Sequence, residues 1–289
     1  MHGLSFIDKF VGYLRLIRPL NCIMMGCAVI VGAALASPNS WLIDLPSLTY
    51  GFITGFMLTA ASMSINDYHD REIDAVNEPN RPIPSGVIKP NEALAFACIL
   101  TLIGFVSAYL TDLKLLAIAL TSWIIFVTYT TIGKRSGLPG NFLVSACVTI
   151  PFIYGSFAVS GEARLNVLVF VLMVFLSNTG REITKGIVDV QGDSRKNVKT
   201  LAVRYGGKKA ALAASSFYVS AIALSPIPWF MGIVNSMFIP LVGITDLGLL
   251  VSSIQLTKDY SREEARRIKN RVLLWFIFGL LAFILGVKR

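Results

Sequence analysis

Nine long apolar stretches follow one another along this chain of 289 residues, and they leave little room for a soluble fold. They fall at about 20–37, 46–66, 91–111, 115–133, 141–160, 165–184, 209–231, 235–257 and 270–287. About 20 apolar residues suffice to cross a bilayer as a helix. Composition agrees. Hydrophobic residues make up 54% of the chain and charged residues 15%, and mean hydropathy is +0.66. A soluble domain carries about 25% charge. The expectation is an all-α membrane protein, nine transmembrane helices around a central cavity, forming a single domain over 1–289. The third and fourth stretches meet at a very short turn around Thr111–Lys114, the least secure point of the count.

The basic residues test the nine-span reading. With the N-terminus in the cytoplasm, all but four of the 26 lysines and arginines fall on the cytoplasmic side. The exceptions are Lys114, Arg164, Lys288 and Arg289. That asymmetry is the positive-inside pattern, and it puts the C-terminus outside. It also accounts for the net charge of +9 without nucleic acid. Before the first span, Phe6, Phe10, Leu14 and Ile17 share one helical face, as in a helix lying in the membrane interface rather than a cleaved signal. Cys22, Cys27, Cys98 and Cys147 all lie in apolar segments with no Cys-x-x-Cys spacing, which argues against zinc or iron–sulfur sites. His2 and His69 are too few for a histidine metal site.

Two acidic clusters end apolar stretches on the same side. One is Asn66-Asp67-Tyr68-His69-Asp70-Arg71-Glu72-Ile73-Asp74, the other Asp189-Val190-Gln191-Gly192-Asp193. Each repeats an amide or acidic group every four residues, so on a helix these groups stack on one face about 6 Å apart. Five aspartates near a membrane repel one another unless cations lie among them. Mg²⁺ held by a few carboxylates usually shares its shell with substrate phosphates. The clusters also form a weak repeat. Each unit is a span, an acid pair, then a basic, glycine-bearing loop: Arg81-Pro82-Ile83-Pro84-Ser85-Gly86 in one, Lys199 to Gly206 in the other. Two half-bundles, roughly 1–135 and 136–289, would bring the acid pairs together across the cavity. Basic groups lie nearby in sequence: Arg71, Arg181 and Lys185, and Lys134-Arg135 at the end of the fourth span. Acids for Mg²⁺ beside Lys and Arg for phosphate oxygens suit a diphosphate or phosphate ester.

These residues carry a resemblance. The run Asn66-Asp67-x-x-Asp70-x-x-x-Asp74 with Arg81 to Gly86 resembles the first signature of the UbiA-type intramembrane prenyltransferases. Asp189-x-x-x-Asp193 resembles the second, and Tyr129 to Arg135 resembles that family's Tyr-x-x-x-x-Lys-Arg segment. The resemblance implies that Asn66, Asp70, Asp189 and Asp193 bind Mg²⁺ bridged to a prenyl diphosphate. It implies that Arg71, Lys134 and Lys185 neutralise diphosphate oxygens, with Asp67 and Asp74 as further catalytic acids. Arg18, Asn21, Arg81, Tyr129, Arg181 and Lys199 are the expected substrate contacts. Neutralised diphosphate becomes a good leaving group. Aromatic rings, with Phe126, Tyr129, Phe142, Phe152, Tyr154 and Phe175 as candidates, would steady the allylic cation that remains.

Within the family, Leu16 to Asn21 and Lys185 to Asp189 are most similar to the archaeal enzymes of diether-lipid synthesis. That implies geranylgeranyl transfer to the hydroxyl of geranylgeranylglyceryl phosphate, a lipid phosphate acceptor, with Arg81, Lys89, Lys199 and Arg204 as candidates for its phosphate. The loop of the first cluster also resembles chlorophyll synthases, so an aromatic or chlorophyllide-type acceptor is the alternative. A divalent-cation or phosphate transporter is a remoter one, disfavoured because the acids gather at one face instead of at mid-membrane depth. The Asp-Gly-x-x-Ala-Arg stretch of CDP-alcohol phosphotransferases is absent.

Overall fold

The structure is a computed structural model, and it describes residues 5–39, 44–195, 198–286 and 288, apart from the side chain of Lys134. A short helix α1 (Phe6–Ile17) precedes α2 (Pro19–Ala36), α3 (Leu45–Asn77), α4 (Pro90–Thr111) and α5 (Leu113–Thr131). A 3₁₀ turn at Gly133–Ser136 leads into α6 (Leu138–Ser160) and α7 (Leu165–Val188). Two short helices follow, α8 (Val190–Arg195) and α9 (Leu201–Tyr205). Then come α10 (Gly207–Leu224), α11 (Ile227–Phe230), α12 (Phe238–Lys258) and α13 (Arg262–Gly286). Among the described residues, nine helical segments are long and apolar enough to cross a membrane. In hydrocarbon every backbone polar group needs an internal partner, which the helix supplies residue by residue.

The short turn between the third and fourth spans separates two helices. Asp112 ends α4 in extended geometry (φ −169°) and caps α5, accepting the Lys114 N–H at 2.6 Å. The second and ninth spans depart most from their expected bounds. Helix α3 runs on for eleven residues past its apolar part, so the first acidic cluster rides on one unbroken helix. Helix α13 begins at Arg262, before its apolar part. α1 exposes Phe6, Ile7, Phe10 and Leu14 on one side, while Leu16 packs against Ile83 and Ile88 of the loop after α3.

The long helices close a ring in which α13 returns to pack on α2. Across the middle, α2 and α6 meet with their backbones in contact. A Cβ added to Gly32 would lie 2.0 Å from the Phe152 carbonyl oxygen, and one on Gly155 would lie 1.9 Å from that of Val29. Only glycine permits this approach. One apolar core, around Phe152, Phe170, Phe238 and Phe283, lies to one side of this seam.

Candidate active site

The acidic end of α3 and the bend after α7 face one cavity. Asn66, Asp70 and Asp74 reach it from α3, and Lys185, Asp189 and Asp193 from the α7–α8 region. Arg81 and Tyr129 complete its wall, together with Glu182, Asn141 and Thr200, which the sequence did not single out. The second acid pair is not on one smooth helix, because α7 ends at Asp189 (φ −94°, ψ 4°). The Asp193 N–H still donates to the Asp189 carbonyl at 3.0 Å, so the four-residue register survives the bend.

Asn77 holds that bend. Its Nδ2 donates to the Asp189 carbonyl at 3.1 Å, and its Oδ1 accepts the Gly192 N–H at 3.0 Å. The Asn77 carbonyl in turn accepts from Arg262 at 2.8 Å, and Arg262 Nε also donates to the Val188 carbonyl at 3.0 Å. α3, α7, α8 and α13 are thereby fixed to one another at the cavity mouth. A side chain at 192 would displace the amide, since its Cβ would lie 2.5 Å from Asn77 Nδ2.

The acids divide by partner. Asp67 accepts from Arg18 at 2.6 Å and from Arg81 at 3.3 Å, and Asp74 accepts from Arg81 at 2.5 Å. Burial works against the Arg81 charge, but Asp67 and Asp74 outweigh it and hold the guanidinium above its ordinary pKa. The loop after α3 aims Arg81 inward through tight turns, with Ser85 N–H donating to the Arg81 carbonyl and Gly86 N–H to Ile83. Asp70 and Asp193 are buried at 5% exposure each, and the Asn66 amide donates to Asp70 at 3.0 Å. Glu182 accepts from Arg181 at 3.3 Å and Lys185 at 3.4 Å.

Above this polar floor lies a larger cavity of about 210 Å³, lined by Arg18, Asn21, Asn66, Arg81, Tyr129, Arg181 and Lys185 among others. Phe126 lines it too, and Phe152 and Tyr154 line deeper apolar chambers. Phe142 and Phe175 instead stack on each other at 5.7 Å. Four expected basic groups lie elsewhere. Arg71 sits over the Tyr68 ring, 4.9 Å from its centre, and donates to the Tyr68 carbonyl. Lys199 and Lys89 are exposed, as is Arg204 beside Tyr205. The side chain of Lys134 lies outside the described part. His69 is exposed. Lys269 of α13, not foreseen as a site residue, lines the larger cavity.

The donor set suits a hard cation, with Asp carboxylates and an Asn amide on one wall. Among the described residues, no three His, Cys, Asp or Glu side chains converge closely enough to hold a metal by themselves. Mg²⁺ takes one or two carboxylates and completes its shell with water and phosphate oxygens.

Residues 25–284 match the UbiA prenyltransferase family. The chain belongs to that family. The digeranylgeranylglyceryl phosphate synthase of Methanosarcina mazei is 35% identical over 287 residues, covering 95% of this chain and 98% of that protein. A solved structure of a digeranylgeranylglyceryl phosphate synthase is 33% identical with a TM-score of 0.71, covering 96% of this chain and 98% of its own. A UbiA homologue from Archaeoglobus fulgidus, solved with GPP and Mg²⁺, shares the fold at a TM-score of 0.65 and 17% identity, covering 94% of this chain and 99% of its own. As a member of this family the protein is a prenyltransferase, and the expected nine-helix membrane fold holds.

Proposed function

We propose that the protein transfers a geranylgeranyl group from its diphosphate to the free hydroxyl of geranylgeranylglyceryl phosphate, with Mg²⁺ as cofactor. One observation carries the reading: a wall of acids and cations from two distant segments opens directly into apolar space inside a membrane bundle. Near-complete alignment with synthases of that name supports the choice of acceptor. Asn66, Asp70, Asp189 and Asp193 would hold Mg²⁺, which when bound supplies charge neutralisation for the diphosphate leaving group. Lys185 lies where it would take diphosphate oxygens. Asp67 and Asp74 act through the arginines they hold, Arg18 and Arg81, and Arg71 is turned away from the site.

The reaction breaks the allylic C–O bond, and its electron pair leaves with diphosphate. A lone pair of the acceptor hydroxyl then forms the new C–O bond, and the hydroxyl proton is released. An alcohol is a weak nucleophile, so the allylic carbon must carry much positive charge before capture. Phe126 and the Tyr129 ring line the space where that charge develops and would stabilise it. The surrounding apolar side chains keep out water, the competing nucleophile. The bias of basic residues supports a site facing the cytoplasm, with the N-terminus on that side and the C-terminus outside.

The test is an acceptor panel with radiolabelled geranylgeranyl diphosphate: the lipid phosphate, 4-hydroxybenzoate, a naphthoate and a chlorophyllide. Labelled diether product from the lipid phosphate is expected. Transfer to a ring acceptor with none to the lipid phosphate would overturn the assignment.

A further inference from the structure

The apolar interior is forked. The mouth cavity shares Thr59, Ser62, Phe126 and Cys147 with a chamber between α2, α3, α5 and α6. It shares Met24, Met25, Val148 and Phe276 with a second chamber walled by α2, α6, α7, α10, α12 and α13. The α2–α6 seam stands between them. Its glycines bring backbone onto backbone at Gly32 and Gly155, so the two chambers stay separate at that depth.

The second chamber has a charged head. Lys269, Leu273, Phe276, Leu280 and Phe283 recur every three or four residues and form one stripe on α13. The first three line the mouth, and the last three line the second chamber. The stripe descends about 21 Å from ammonium to ring at 1.5 Å per residue. Among the described residues no hydrogen bond or ion pair engages the Lys269 ammonium. Arg181, lining the same mouth, has a buried Nε without a hydrogen-bond partner. With Arg18 and Arg81 of the mouth held by Asp67 and Asp74, three further cations, Arg181, Lys185 and Lys269, face Glu182, the one carboxylate lining it among the described residues. Such an excess in a low-dielectric setting calls for an anion.

Resting on the function proposed above, we propose that Lys269 and Arg181 bind the phosphate monoester of the acceptor, whose prenyl chain descends the α13 stripe into the second chamber. The donor's chain takes the other chamber, past Phe126 and Trp123. The two chains of the product thus part on either side of the α2–α6 seam, with the acceptor hydroxyl presented at the mouth between them. The candidates expected for this phosphate do not serve it: Arg81 is committed to Asp67 and Asp74, and Lys89, Lys199 and Arg204 face outward.

The experiment measures KM for each substrate separately in K269M and K269R. K269M should raise the acceptor KM by about ten- to hundredfold, as for a lost charge-assisted hydrogen bond. It should leave the donor KM within about twofold, the charge on K269R should recover most of the loss, and dephosphorylated acceptor should not distinguish K269M from wild type. A second pair of variants tests the fork. G279L, narrowing the second chamber, should shorten the acceptor chains accepted without altering donor preference, and A119F in the first chamber should do the reverse. An unchanged acceptor KM in K269M, equal losses for both substrates, or interchanged chain-length effects would overturn this inference while wild-type transfer to the lipid phosphate left the proposed function standing. If wild type does not use the lipid phosphate at all, both fall together.

Discussion

Asn77 and Gly192, 115 residues apart, are joined by a hydrogen bond of 3.0 Å from the Gly192 N–H to the Asn77 side chain. The same amide holds the Asp189 carbonyl, so one side chain joins the two acidic clusters, with Arg262 bridging the Asn77 and Val188 carbonyls beside it. Asn77→Ala leaves a buried N–H without its partner, which costs about 1–3 kcal/mol. The expected outcome is a lower melting temperature and an apparent Mg²⁺ requirement raised about tenfold, with the acceptor KM little changed. A Mg²⁺ titration at saturating substrates checks it, and an unchanged requirement would remove Asn77 from the positioning machinery.

Asp70 and Asp193 approach the cavity from opposite segments. If both serve one cation, Asp70→Asn and Asp193→Asn should each lower kcat by about a thousandfold or more. The double variant should be little worse than either single one, because groups acting as a unit are not additive. Multiplicative losses would indicate two independent sites.

Arg81 serves two buried carboxylates at once. Arg81→Met leaves Asp67 and Asp74 partly uncompensated, a change that costs about 3–5 kcal/mol when a buried pair is broken. Adding Asp74→Asn should recover part of that stability, although not activity. Thermal melts of the single and double variants in detergent would show whether it does.

Asn80 is exposed in the loop after α3. In a cysteine-free background, Asn80→Cys should react with impermeant maleimide only from the cytoplasmic side. Labelling of intact cells would reverse the proposed orientation of the whole site.

Much of this architecture was legible in the chain, because apolar runs report their own length. The ends of helices were less so. The polar part of α3 continues the helix past residue 66, since backbone hydrogen bonding does not require apolar side chains. The acid registers were readable because a four-residue repeat is local. Arg71 misled because it adjoins Asp70 in sequence, yet one residue turns a helix by about 100° and puts it on another face. Lys199 adjoins the second cluster only through a loop. Lys269 was hidden among the basic residues before the ninth span. Its helical phase with Leu273 and Phe276 becomes visible once α13 is known to begin at Arg262. Asn77 gave no signal at all, since its partners are more than 100 residues away.

Arg18 has a left-handed backbone (φ 52°), unusual for a residue with a side chain, exactly where α1 ends and α2 begins. Its guanidinium is bound to Asp67, 49 residues downstream. During synthesis, then, the first bundle helix is made long before the carboxylate that completes its mouth. The corner between the surface helix and the bundle cannot take its final form until α3 has been inserted. Arg181 and Lys185 of α7 and Lys269 of α13 line the same mouth, so it is complete only after those later helices have joined the bundle.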